Sequence, residues 1–524
     1  MNEESVRSDD VTHGEIPSLR IGFTTERKTI ELAINGYFSL FDHAGIALAK
    51  NVHATTTWHL HVEHLQPADY FYNILFGKFD TYEAADELCY QLLEKGVGAQ
   101  IKSVGGEWPG DHPVLKSSCE YWVVVDQFLD METAQEFART NAREWPSEIF
   151  REKRKEPTVR LHIMDSEMEL VCEAENGIHF VPKSPETTIS MKNFQLADAQ
   201  SDLLPTLVFT NRLEFRSTNA GHLCVVMEKD TEQVLYAMLF SMTFKQARPD
   251  FLQALAITLR SHLAAGLNCV RSGEVFDWSM NQYVAAFLGD KPVNELCSAA
   301  LDKTRGLVLA HSDQLVKAEF TEACGGHTES MTDSLQSELF TRIDAENGEY
   351  RDNFGALYRQ DAIQDWISAQ PNVLCNPYKF NGLNPWGARF RWAVEYDRTS
   401  LEARLNEYAN QDIGELFDIL PVKRSGSGRI LELEVLASYS NLYLRGDDEI
   451  RQALGFTSVH STCFFIEREF DADFIPATFL LRGAGAGHGK GLCLAGAVEL
   501  SNQERDYVAI LKHYFANSEL IKIY

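Results

Sequence analysis

The sequence predicts a mixed α/β (α+β) protein of more than one domain, and three observations carry the prediction. Apolar–polar alternation runs from Leu19 to about residue 66 and returns from Thr158 to about Lys229, the period of strands with one buried face. Between those stretches the chain reads twice as a strand followed by a helix. From Pro249 an apolar helical pattern takes over. At 524 residues the chain is long for one core, so two or three domains are expected.

The first sixteen residues are acidic and polar and are predicted to be a disordered tail. A secretory signal would be basic and then apolar, so the chain as written reads as cytoplasmic, and no transmembrane segment is expected. Residues 17–66 form a β-rich segment, with a hairpin turn expected at Asn35-Gly36. In "TTTWHLHVEHL" His59 and His61 share a strand face, which suits a metal pair or, with no third ligand in reach, a plain exposed face. Residues 70–104 read as strand (Tyr70–Phe76), helix with Ala85, Leu88, Leu92 and Leu93 facing inward, and strand (Gln100–Val104). "EYWVVVDQFLDMETAQEFARTNA" is a weaker echo. "PDFLQALAITLRSHLAAGL" opens with proline and aspartate and repeats leucine at 252, 255, 259 and 263, a helix facing a core.

Composition excludes some partners. With 48 Lys+Arg against 76 Asp+Glu the formal charge is −28, and no basic stripe offsets it, so nucleic acid and anionic membrane surfaces are not expected partners. Ten cysteines lie singly with no C-x-x-C, as in a chain of reduced thiols. The stretch "LLRGAGAGHGKGLCLAG" (480–496) places glycine at every second position from Gly483 to Gly491 around His488. It fails both phosphate-binding patterns: no third glycine completes G-x-G-x-x-G, and Gly491 stands where a P-loop needs Ser or Thr. Period-two glycine reads as a strand with one bare face, approached closely by a ligand or another backbone.

Three stretches in order carry a family resemblance. "FLQALAITLRSHLA" (251–264) resembles the Ala-rich helix of the SpoIID/LytB family, the stage II sporulation protein D and amidase-enhancer group, with Arg260 and Ser261 on matching positions. "NELCSAALDKTRGLVLAHSDQLVKAEFTEACGGHTES" (294–330) is similar to its "T-R-G-x-V-L" and "G-G-x-T-E" segment, and the glycine-rich stretch with "VAILKHYF" (508–515) is similar to its C-terminal motif. The resemblance covers roughly residues 205–524. The two strand–helix patterns of residues 67–150 resemble SPOR modules, the second only in part, inserted in or preceding a SpoIID/LytB-like domain placed at 155–524.

The resemblance implies peptidoglycan as partner. SPOR modules bind glycan strands stripped of stem peptides, and SpoIID/LytB enzymes are lytic transglycosylases that cut between N-acetylmuramic acid and N-acetylglucosamine. It places Arg260, Ser261, Tyr283, Gly487, His488 and Gly489 at the glycan, with a buried structural ion pair as the other reading of Arg260. The acid of the reaction, however, falls on Met242 in "AMLFSMTF", and a thioether has no proton to donate. Asp250 is the nearest substitute, although a first-turn aspartate is expected for the helix dipole alone. Ala486, Leu494 and Asn281 also depart from the family pattern. Cys324 and His327 at C-x-x-H spacing, with Cys375, resemble a region where relatives bind a structural zinc, with no fourth ligand evident; buried free thiols are the other reading. The expected function is glycan binding with a degenerate catalytic site. Its alternatives are an active lytic transglycosylase with a displaced acid, and a cytoplasmic interaction protein that keeps only the fold.

Overall fold

The computed structural model describes residues 16, 18–25, 27–79, 81–104, 120–141, 147–155, 157–191, 207–218, 221–267, 275–279, 294–329, 343–345, 357–378, 384–472 and 474–524. The chain is mixed α/β and multi-domain, as its patterning predicts.

The alternating stretches at the start of the chain and after residue 158 join in one twelve-stranded sheet. Ser18–Thr24 pairs with Leu223–Asp230, so residues 17–66 are part of the same β-body as residues 158–230. Thr29–Asp42 is its hub. The first half of this strand pairs with Thr57–Gln66 and Thr188–Met191, the second with Ala47–Ala54 and Ile178–Pro182. Gly36 lies inside it at φ +120, with Thr187 Oγ1 2.7 Å from where a Cβ would sit. The expected Asn35-Gly36 turn is therefore a bend within one strand, and the chain reverses instead at 43–45, where Asp42 N–H reaches Ile46 C=O.

The two strand–helix patterns close into one sheet instead of two modules. Asp69–Phe79, helix α1 (Tyr82–Glu94) and Gln100–Val104 form the first half; Glu120–Phe128, helix α2 (Met131–Asn141) and Glu148–Lys155 form the second. The antiparallel order is Gln100–Val104, Glu120–Phe128, Asp69–Phe79, Glu148–Lys155, so the body extends to Lys155, past the expected boundary at 150. Ala85 and Leu92 are buried against Ile74, Val123 and Ala134, whereas Leu93, expected inward, is 64% exposed. One further residue turns a helix by about 100°, which carries Leu93 off the apolar stripe. This body leaves the β-sheet after Gln66 and returns at Thr158, two residues that face each other across a strand pair.

The third part is helical and central. Helix α3 (Thr231–Ser241), capped by Asp230, precedes α4 (Pro249–Leu267), and α5 (Glu295–Lys303) is capped by Asn294. From Phe251 to Ala265 almost every residue of α4 is buried, the leucine face in the main core and the polar Gln253, Thr258, Arg260 and Ser261 with it, so neighbouring elements cover the helix on nearly all sides. Among the described residues no helix is long and apolar enough to cross a membrane. Helix α6 (Gln360–Ser368) adds Ile363 and Trp366 to this core.

A smaller body with its own core follows. It holds helices α7 (Arg398–Ala409) and α8 (Gly446–Leu454) and two three-stranded sheets around Leu401, Ile419, Leu433, Phe464 and Leu481. It too enters and leaves through paired residues, Arg391 and Ala484. The chain then returns to the main core through α9 (Leu494–Asn502) and α10 (Tyr507–Tyr514).

The glycine-rich stretch links these two bodies. The strand Pro476–Ala484 ends where the alternation continues, and Gly485, Gly487, Gly489 and Gly491 all have positive φ. Their open faces meet protein: a Cβ on Gly491 would lie 2.0 Å from Glu319 O, and one on Gly487 2.5 Å from Thr321 Oγ1. The expected strand is thus a loop, and of the two approaches its bare face allows, ligand or backbone, it receives the chain at residues 319–325. Gly491→Ala combines a left-handed backbone with a backbone clash, and a loss of ~2 kcal/mol or more in urea unfolding is expected. Unchanged stability would contradict this packing.

Candidate functional site

Four side chains from distant segments converge beneath the glycine loop. Cys324 and Cys375 are 1% exposed, and Asp344 and Cys493 are fully buried. Their donor atoms all lie within 4.8 Å of one another, so the cluster could hold a metal ion. The Cys324 thiol donates to Asp344 Oδ2 (3.1 Å) and lies 3.7 Å from Cys375 Sγ. Cys493 Sγ accepts the N–H groups of Cys324 (3.3 Å) and Gly496 (3.4 Å), and Cys324 Sγ accepts that of Gly326 (3.4 Å). Asp344 Oδ1 is held by the Tyr514 hydroxyl (2.9 Å) and stands 3.1 Å from His513 Nε2. Backbone donors on the sulfurs and a tethered carboxylate are the outer-shell supports that orient metal ligands.

Electrostatics distinguish the three thiols. Burial pushes Cys324 and Cys375 well above the ordinary thiol range. Burial also opposes ionisation of Cys493, yet hydrogen bonds from the other two thiols and the Cys324 N–H hold it down to about 6. A cation bound among them would displace thiol protons, since the thiolate is the form that binds metal.

Two of the three expected metal residues lie here, and one does not. His327 turns its Nδ1 to Thr328 O (2.8 Å) and is outside the cluster. Gly325 and Gly326, at φ +76 and +106, redirect the chain before it. Asp344 and Cys493 supply the remaining donors. Cys493 follows the last loop glycine by two residues, the one signal in sequence that a thiol returns to this region. A second group, His43, His179 and Glu214, also has donors in range. Arg20 and Arg216 already bind Glu214 (2.7 and 3.0 Å), while Arg212 and Arg216 approach His179 and His43 (3.2 and 2.8 Å), so three guanidiniums oppose a cation there.

The expected glycan residues separate. Arg260 is fully buried, with Nε and Nη2 on Glu232 (2.8 and 3.0 Å) and Nη1 on the carbonyls of Thr304 and Leu307 (2.8 and 3.0 Å). Ser261 is also fully buried; its hydroxyl donates to Ile257 O and accepts Leu309 N–H. Both hold the fold and offer nothing to a ligand surface. Tyr283 and Asn281 lie outside the described residues. Met242 is the C-cap of α3, half-buried against the main core, and Asp250 sits in the first turn of α4 near Tyr507. Gly487 and Gly489 are filled from behind by Thr321 and the Arg429 guanidinium. Among the described residues expected at the glycan, only His488 presents a side chain at a surface: it is 39% exposed, its Nδ1 accepts Lys490 N–H (3.1 Å), and the same atom stands 3.8 Å from Glu319 Oε2. Glu319 was not anticipated as a site residue.

Comparison with known proteins adds a partial match. A family model described as a domain of unknown function, DUF8618, matches residues 357–491, which contain the smaller body and the glycine loop. An uncharacterized protein of Brachyspira hyodysenteriae is 22% identical over 276 residues, 52% of this chain, and the match spans 61% of that protein's length. Among solved structures, a putative exported protein from Burkholderia pseudomallei aligns at 10% identity and TM-score 0.16 over 29% of this chain and 26% of its own.

Proposed function

We propose that this chain binds peptidoglycan glycan strands stripped of stem peptides, in the manner of a SpoIID/LytB-like protein whose usual acid position is taken by Met242. The observation that carries the reading is the meeting of the quoted motifs: residues 319–325 pack on the 485–491 loop and α4 packs beside α5, leaving His488 at the surface next to Glu319. The four-stranded body of residues 69–155 supports it as a second binding element, since its strand–helix order is that of the SPOR pattern quoted above.

In this reading Cys324, Asp344, Cys375 and Cys493 hold a structural zinc. Three soft sulfurs and one carboxylate oxygen, all donors that zinc accepts, make a closed, buried set of four, which leaves no open position for substrate. The ion would tie together segments that end at the loop. Met242 lies at a helix end with no carboxyl of its own, so binding without cleavage is the expected behaviour.

The test is co-sedimentation. The full chain is expected to pellet with amidase-treated peptidoglycan more than with intact wall, to lose part of that binding when residues 67–157 are deleted, and to release no anhydro-muramyl product. Equal pelleting with both preparations would overturn the reading.

A further inference from the structure

The twelve-stranded sheet gathers cations on the face it turns away from the core. Ile178, Phe180, Leu213 and Phe215 point into the main core, so His179 and its cross-strand partner Glu214 stand on the opposite face, with Arg212 and Arg216 two residues to either side of Glu214. His43 follows the end of the strand Thr29–Asp42, whose Phe41 pairs with His179, and Arg20 comes from the strand Ser18–Thr24. Donor atoms of His43, His179 and Glu214 lie within 4.8 Å of one another. The group is reachable from solvent: His43 and Arg212 are exposed, the Arg216 side chain is 16% exposed, and His179 is buried beside them.

The hydrogen bonds fix what each group has left to offer. A guanidinium only donates, so His179 Nδ1 accepts from Arg212 Nη2 (3.2 Å) and His43 Nδ1 accepts from Arg216 Nη1 (2.8 Å). Both imidazoles are therefore neutral and carry their proton on Nε2, which is a donor. Burial, together with the Arg212 charge, outweighs the pull of Glu214 and holds His179 below the ordinary histidine range. Glu214 is already engaged, with Oε2 on Arg20 Nη2 (2.7 Å) and Oε1 on Arg216 Nη1 (3.0 Å). Arg20 is engaged as well: it donates to Val275 O from Nε (3.2 Å) and Nη2 (3.0 Å), and Asp277 takes its backbone N–H (2.7 Å).

Among these described side chains three guanidiniums thus face one carboxylate, and the charges of Arg212 and Arg216 are not balanced by Glu214. Like charges held this close repel, and a bound counter-ion relieves the repulsion. The groups left over are donors from separate side chains, the guanidinium of Arg212 and the Nε2–H groups of His43 and His179. Several donors around positive charge suit a phosphate, which offers more oxygens than a carboxylate. The chain's net charge of −28 repels a polyanion, whose further charges would lie beyond the patch, so the ligand is small.

We infer that Arg212, Arg216, His43 and His179 form a binding site for a small phosphate-type oxyanion, free or carried as one phosphoryl group on a small molecule. The site shares no residue with the cysteine cluster or the glycine loop and does not depend on the glycan reading.

Isothermal titration of the full chain at low ionic strength with inorganic phosphate, glycerol 3-phosphate and acetate tests it. Wild type is expected to bind a phosphate compound, and acetate about 10-fold more weakly or less. Tighter binding of the ester than of the free ion identifies a carried phosphoryl group, and the reverse order identifies free phosphate; either sustains the site. Arg212→Gln should weaken phosphate binding about 10-fold or more, and His43→Ala should weaken it too. Both side chains are exposed, so thermal unfolding should barely move and a loss of binding reports the site. No binding of either phosphate compound, acetate bound as tightly as phosphate, or affinity unchanged in both variants overturns the inference.

Discussion

Cys493→Ser is expected to abolish the zinc binding proposed for the Cys324–Asp344–Cys375–Cys493 cluster, taking zinc from about one ion per chain to near zero, while His327→Ala leaves the content unchanged. Serine still caps α9 by accepting Gly496 N–H, so the substitution removes a thiolate without removing the cap. The effect should be large because buried ligands bind metal and fold in one step, with about 10 kcal/mol or more of binding free energy in small zinc domains. Metal analysis after dialysis, with calorimetry before and after chelation, reads both. A Cys493→Ser protein that keeps its full metal content, or a His327→Ala protein that loses it, would return the site to the Cys324, His327 and Cys375 set.

Arg260→Met should cost about 3–5 kcal/mol in urea unfolding, the scale of leaving one partner of a buried ion pair alone. The wild-type guanidinium makes two bonds to Glu232 and one each to the carbonyls of Thr304 and Leu307, which joins α3, α4, the end of α5 and the strand Leu307–His311. Without it the Glu232 carboxylate keeps the hydrogen bond that the Tyr524 hydroxyl donates to Oε1. Adding Glu232→Leu should recover part of the loss, because the orphaned charge disappears with it. A single-variant loss under ~1 kcal/mol would refute the assignment of Arg260 to the fold.

Legibility varied with the distance over which a residue acts. The apolar spacing of Ala85 and Leu92, and the existence of α4 with its leucine stripe, follow from local helical geometry and were readable from the chain, whereas the burial of Gln253, Thr258, Arg260 and Ser261 on its other faces was not. Leu93 was not, since one residue of rotation decides a stripe's edge. Period-two glycine was ambiguous by nature: an extended strand and a loop with alternate left-handed residues share that period, and only packing on Glu319 and Thr321 selects the second. Cys324 and Cys375 could be named as a thiol pair, but Asp344 and Cys493 lie 20 and 169 residues from Cys324, with no spacing rule to connect them. Arg260 shows the reverse case. A motif position suggested a ligand contact, and burial made it a strut.

The sequence by itself determined the strand–helix order within residues 69–141, the return of strands after residue 158, the central helix and the availability of buried thiols, because each depends on neighbours within about one helical turn or one strand. Only the tertiary structure decided that two β-α-β patterns make one sheet, that Cys493 and Asp344 complete the cluster in place of His327, and that Glu319 comes to stand 3.8 Å from His488. Those facts depend on where loops of tens to hundreds of residues bring their ends. That placement is set by burying a shared core and satisfying its polar groups, not by any local preference.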